Sequence, residues 1–341
     1  MTRLGLIGAG AIAQTYVEAV ERVDDMAITA ICDTNARIRE SAAERLGCTA
    51  YASADDMLQS EELDGIVVTT PPLHHLCIAK AALERGVPVL CEKPLTVDST
   101  AAVEMIASAQ ASGVALAMAS KFRYVADIVK ARALIDSGIV GEIMLVENLF
   151  AAPVDMSARW NSDAGISGGG VLIDNGTHSV EIIRYLAGPI RRVRAVTETF
   201  KAGLPVEDTA ILFAECDSGA RGHAEVSWTL AKKSPNFVTV YGSKGVIEIG
   251  WQESRYKRDT DPDWTVFGKG YDKIGAFKAN IEDFRTAIAG GAMRTTIADA
   301  LASVRVIEAA YASANGDSWR DVSGEPGLKA VTDSGKTMRG K

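Results

Sequence analysis

The chain has 341 residues, is 47% hydrophobic and carries a formal net charge of −8. Two cores can therefore be filled, and the acidic balance disfavours nucleic acid or an anionic membrane as partner. Small molecules are the expected ligands. No basic-then-apolar leader precedes the first apolar run, and no run approaches the ~18 residues of a membrane span, so a cytoplasmic protein is expected. The five cysteines (Cys32, Cys48, Cys77, Cys91, Cys216) are odd in number and never spaced Cys-x-x-Cys, against both a disulfide framework and a zinc knuckle. The four histidines show no ligand spacing either, and no metal is expected.

In chain order, Leu4 to Ile7 reads as a buried strand entering a helix, Ala11 to Glu21, through the turn Gly8-Ala9-Gly10. Met26 to Ile31 (strand), Ala36 to Leu46 (helix) and a short strand near Cys48 to Tyr51 follow. The alternation continues with strands Leu63 to Thr69, Val87 to Cys91 and Val114 to Ala119, and helices Leu73 to Arg85 and Ser99 to Ala111. These strands are continuous apolar runs, as in a parallel sheet covered by helices on both faces, which predicts a doubly wound domain over residues 1–121. Beyond Gly138-Ile139-Val140-Gly141 the period changes. Ile143 to Phe150, Ile190 to Phe200, Asp208 to Cys216, Ala220 to Leu230 and Phe237 to Ile249 read as strands, with hairpin turns at Asp217-Ser218-Gly219 and Gly242-Ser243-Lys244-Gly245. A second, α+β domain over 122–322 with a mostly antiparallel sheet is predicted, one open face of which would pair chains into a homo-oligomer, a dimer or tetramer. Helices Ala276 to Ala289 and Ile297 to Ala314 close it, and 323–341 reads as a frayed tail.

The Gly8-x-Gly10-x-x-Ala13 turn fits a dinucleotide diphosphate. Gly8 makes the tight turn, Gly10 lets backbone N–H groups approach, and the helix start at Ala11 and Ile12 presents unpaired donors to an anion. Asp33 follows 23 residues after Gly10, where an acid meets the adenine-ribose hydroxyls, favouring NAD over NADP; Arg37 and Arg39 on the next helix soften that preference. Thr70-Pro71 follows the fourth strand and Glu92-Lys93-Pro94 the fifth, both at the carboxyl edge where α/β ligands bind. Farther on, a Gly168-Gly169-Gly170 run leads to Asp174 and His178, four apart on one side of a helical turn, the types a proton-transfer site needs near neutral pH.

Together, Gly8-x-Gly10-x-x-Ala13, Glu92-Lys93-Pro94 and Gly-Gly-Gly-x-x-x-Asp174-x-Gly-x-His178 resemble the Gfo/Idh/MocA oxidoreductases over residues 1 to about 320. The resemblance implies a Rossmann domain, a second domain with a large open sheet, and NAD(P)-dependent chemistry at a hydroxyl carbon of a sugar, cyclitol or sugar derivative. It implies that Lys93 and His178 are catalytic, that Asp174 supports the imidazolium, and that the Lys93-Pro94 peptide is cis. His75 and Arg123 are implied to reach cofactor or substrate, while Pro72 departs from the Asn common at its position. Arg159, Trp160, Asn161 and Trp228 are candidate substrate contacts. Two alternatives stay open, a glycoside hydrolase that cycles NAD and a nucleotide-sensing regulator on the same scaffold.

Overall fold

The computed structural model describes residues 1–157 and 159–322; the predicted tail 323–341 lies outside them. In the first half, β1 (Thr2–Ile7), α1 (Ala11–Val20), β2 (Met26–Cys32), α2 (Ala36–Leu46), β3 (Thr49–Tyr51), α3 (Ala54–Ser60), β4 (Gly65–Val68), α4 (His75–Leu83), β5 (Val89–Cys91), α5 (Ser99–Ser112) and β6 (Leu116–Met118) alternate as expected. All six strands run parallel in the order β3-β2-β1-β4-β5-β6. The order reverses at β1/β4, which opens a crevice beyond the carboxyl ends of those strands. Every residue of β4, β5 and β6 is buried, as a doubly covered sheet requires. The sequence reading passed over α3, although its signature is present: Ser53 caps it by accepting from Asp56 N, and Asp55 and Asp56 occupy the first turn. The helix expected from Leu73 begins instead with a 3₁₀ turn, Pro72–His74.

The second half runs α6 (Ala126–Asp136), β7 (Ile143–Ala151), α7 (Ala164–Ser167), α8 (Val171–Ala187), β8 (Ile190–Glu198), β9 (Thr209–Cys216), β10 (Arg221–Ser227), β11 (Asn236–Gly242), β12 (Gly245–Gly250), β13 (Ser254–Arg258), β14 (Thr265–Gly268), α9 (Lys273–Ile288), α10 (Ile297–Gly316) and β15 (Arg320–Asp321). Nine strands form one sheet, β14-β13-β12-β11-β7-β10-β9-β8-β15, antiparallel except for the β7/β10 pair. The single strand read from Phe237 to Ile249 is the β11–β12 hairpin, turning where Gly242-Ser243-Lys244-Gly245 was expected to turn. Helices α8 and α10 cover one face of this sheet. On strand residues that α8 and α10 leave uncovered, Met144, Val196 and Phe213 are about half exposed, and Phe213 stacks on His223 with ring centroids 5.1 Å apart.

The last helices return to the first half. Phe277, Ile281 and Phe284 of α9 share a core with Leu4, Leu6 and Tyr16, and Phe277 meets the Tyr16 ring edge-on at 4.9 Å. Ala300, Leu301 and Val304 of α10 pack with Ile66, Val89 and Met105. The first half thus completes its cores with chain from the far end of the sequence.

Candidate active site

A cleft of about 510 Å³ lies between the carboxyl ends of the parallel sheet and the start of α8. On the first side the glycines act as the spacing predicted. Gly8 has φ +95°, and a Cβ there would stand 2.9 Å from the Thr69 carbonyl carbon, so only glycine fits. Gly10 is the N-cap of α1, with no side-chain cap and nothing within 4 Å of where its Cβ would be. The first N–H groups of α1 are left for an anion. Gly10, Ala11 and Ile12 line the cleft. Asp33 is held at the end of β2, accepting from Ala9 N at 2.7 Å and Asn35 N at 2.8 Å. Arg39 donates to the Asp33 carbonyl at 2.8 Å, which ties that guanidinium to backbone. Thr70 lines the cleft, and its buried hydroxyl has no hydrogen-bond partner among the described residues. An open helix start and an orphaned hydroxyl line this crevice, and a fixed acid stands outside its lining at the end of β2; the set fits a dinucleotide. Pro71, next to Thr70, does not line the cleft.

The other side brings Glu92, Lys93, Asp174 and His178 together, 81 residues separating Lys93 from Asp174. β5 ends just before Glu92, and the Lys93–Pro94 peptide is cis. Glu92 accepts from the Tyr16 hydroxyl at 2.7 Å and from Lys93 N at 3.0 Å. The Lys93 ammonium pairs with the Asp174 carboxylate and donates to the Asp174 carbonyl at 3.1 Å. Asp174, Asn175 and His178 share the cleft-facing side of the first turns of α8. The residues that lead into that helix must be glycine, because a Cβ on Gly169 or Gly170 would collide with Tyr311 or Glu207. His178 packs edge-on against Phe122, ring centroids 5.0 Å apart. Burial, with Lys93 and Lys121 nearby, holds its pKa well below the usual histidine value, and the imidazole is neutral at pH 7.

Several expectations are revised. Asp174 bonds Lys93, and no hydrogen bond joins it to His178 among the described residues. Arg123 does not line the cleft; it is buried on Glu181 at 2.7 Å and Asp299 at 3.1 Å, tying the turn after β6 to α8 and α10. His75 is fully buried, its Nδ1 at 3.0 Å from the Pro94 carbonyl and its Nε2 at 2.9 Å from the Thr70 carbonyl. It braces two cleft loops against each other and is out of a ligand's reach. Arg159, Trp160 and Asn161 do line the cleft. Trp228 lines an adjoining cavity of about 270 Å³ instead, where its indole N–H donates to Asn175 at 3.2 Å. The sequence reading missed Lys121, Trp251, Tyr271, Lys273 and Phe277, all of which line the main cleft. They come from scattered segments with no motif spacing. Among the described residues no cluster of His, Cys, Asp or Glu could hold a metal ion.

Comparison with known proteins is consistent with this geometry. Residues 2–120 match the family described as "Oxidoreductase family, NAD-binding Rossmann fold", and residues 128–248 match the "GFO/IDH/MocA C-terminal domain". The chain is 30% identical to the rhizopine catabolism protein MocA of Rhizobium meliloti over 90% of this chain and 93% of that protein. It is 25% identical to a D-apiose dehydrogenase of Paraburkholderia graminis, covering 91% and 86%. The crystal structure of GenD2 from gentamicin A biosynthesis, in complex with NAD, superposes with a TM-score of 0.84 at 27% identity, over 94% of this chain and 96% of that one.

Proposed function

The chain belongs to the Gfo/Idh/MocA family of NAD-binding oxidoreductases, and on that premise we propose that it moves hydride between NAD and a hydroxyl carbon of a sugar, cyclitol or sugar derivative, with His178 and Lys93 as the catalytic residues. Bound NAD supplies the nicotinamide carbon that takes the hydride. The observation that carries the roles is the donor count at Lys93. An ammonium has three N–H donors; two go to the Asp174 carboxylate and carbonyl, and the third is free for the substrate oxygen. There it stabilises the negative charge that develops as the O–H proton leaves. His178, neutral and facing the same space, accepts that proton at an imidazole nitrogen. Asp174 positions the lysine, in place of the imidazolium support expected of it. Gly8, Gly10, Ala11, Ile12, Asp33, Thr70 and Glu92 form the NAD side, and Asp33 favours NAD over NADP. The exposed tryptophans Trp160 and Trp251 offer apolar platforms to a sugar ring.

Lys93, Asp174 and His178 in one cleft favour an enzyme over a regulator. NADH accumulation from NAD and a panel of cyclitols, aldoses and sugar acids tests the reading. Sugar-linkage cleavage without NADH would favour the hydrolase instead.

The exposed Met144, Val196 and Phe213 support pairing of two or four copies through the nine-stranded sheet. Phe213→Asp should then halve or quarter the sedimenting mass. A cytoplasmic setting fits the five free thiols, and no described helix is long and apolar enough to cross a membrane.

A further inference from the structure

Lys121 touches no reacting atom in the chemistry above, where its charge only helps to keep His178 neutral, yet it lines the cleft beside Lys93 and His178. Its ammonium lies 5.3 Å from the centre of the Phe122 ring and 5.6 Å from that of Phe277. It has no hydrogen bond and no ion pair among the described residues. The acids nearby are engaged elsewhere: Glu92 accepts from Tyr16 and the Lys93 amide, and Asp174 holds the Lys93 ammonium. The charged groups facing Lys121 are Glu92 and Lys93 after β5, Asp174 on α8 and Lys273 at the start of α9. Around the whole cleft Lys93, Lys121, Arg159 and Lys273 stand against only Glu92 and Asp174, an excess of two positive charges. Oxidised NAD adds a positive ring to that end, while its diphosphate is matched by the start of α1. A partly buried ammonium among like charges calls for an anion, and the component of the reaction left to bring one is the substrate.

We propose, resting on the oxidoreductase reading, that the preferred substrate is a polyhydroxy acid, an aldonate or uronate, whose carboxylate pairs with Lys121 while a neighbouring hydroxyl meets Lys93 and His178. The oxidation leaves the carboxylate unchanged. At the reacting carbon one C–H and one O–H bond break: the hydride reduces NAD⁺ to NADH, the proton goes to His178, and a C=O bond forms.

Burial and the Lys93 charge lower the Lys121 pKa to about 8. The ammonium is therefore lost, and the preference for acids with it, as pH rises through that value.

The test measures kcat/KM by NADH formation on matched probes: D-glucuronate against D-glucose, D-galacturonate against D-galactose, and D-gluconate against D-glucitol. The wild type should favour the acid of a pair. Lys121→Met should lower the acid-to-neutral ratio by about 10- to 100-fold, the worth of one charged hydrogen bond. Lys121→Arg should keep the ratio, and in the wild type the ratio should fall above pH about 8. Each ratio comes from one preparation, so partial unfolding cancels. Turnover of the neutral probes alone, or a ratio unmoved by Lys121→Met, overturns the carboxylate assignment and leaves the oxidoreductase reading standing. Absence of NADH from every probe overturns the carboxylate assignment, and absence also from myo-inositol, added as a neutral cyclitol probe, overturns both.

Discussion

The two walls of the cleft are made by different means. The nucleotide wall is mostly backbone: a left-handed glycine pressed against Thr69, an uncapped helix start and one acid locked by two amides. The facing wall is side chains: Lys93 set by Asp174, a neutral imidazole beside Phe122, and exposed tryptophans. A backbone wall suits a ligand that never changes. A side-chain wall can be re-cut for a new substrate while the fold stays as it is.

The contrast predicts which property fails on which side. The largest effect belongs to the side-chain wall: His178→Ala or Lys93→Ala should lower kcat by at least about 10²-fold with NAD affinity nearly unchanged. Since both act on one oxygen, the double variant should lose little more than either single one. If His178→Ala lost thermal midpoint while turnover per folded molecule held, the imidazole would be a packing residue and the division of labour would fail.

On the backbone wall the two glycines should part company. Gly8→Ala forces a side chain into a left-handed conformation against the Thr69 backbone and should cost about 1–3 kcal/mol of folding stability even without ligand. Gly10→Ala adds a methyl where nothing stands within 4 Å, so the thermal midpoint should hold while NAD binds at least about tenfold more weakly. Calorimetric melting with and without NAD reads both. The smallest effect is at Asp33, where Ala should improve use of NADP relative to NAD by about tenfold, because a fixed carboxylate repels a 2′-phosphate. Equal efficiency of the wild type with both cofactors would remove Asp33 as the discriminator.

What could be read from the sequence follows the same division. The nucleotide wall is local in the chain: Gly8, Gly10 and Asp33 lie on one β-α-β unit, and a parallel strand shows as an unbroken apolar run. Asp174 and His178 were found because they share one helix. Lys121 and Arg123 illustrate what stays hidden. Both lie in the 3₁₀ turn Lys121–Tyr124, where each residue advances the direction by about a third of a turn. The arginine therefore points at Glu181 and Asp299, and the lysine at the cleft. Nothing in the tetrapeptide says which, because the deciding acids are tens to more than a hundred residues away. His75 was misjudged for a related reason: the carbonyl of Pro94 that holds it is 19 residues distant and leaves no mark in composition. Trp251, Tyr271 and Lys273 follow strands of the second sheet, and their meeting depends on a nine-strand order that no periodicity encodes.

The return of α9 to the nucleotide half bears on how this protein can be cut and recombined. A fragment ending at residue 121 would leave open the site that Phe277, Ile281 and Phe284 fill against Leu4, Leu6 and Tyr16, and should be recovered as an aggregate. A chimaera that grafts a relative's whole second half would bring foreign side chains into that same core. Exchanging only residues 122–268 replaces α8 and the nine-stranded sheet up to β14 while leaving native helices on both cores of the first half. Native Phe277 and Lys273 would stay in such a hybrid, so part of the cleft would travel with the recipient and not with the donor.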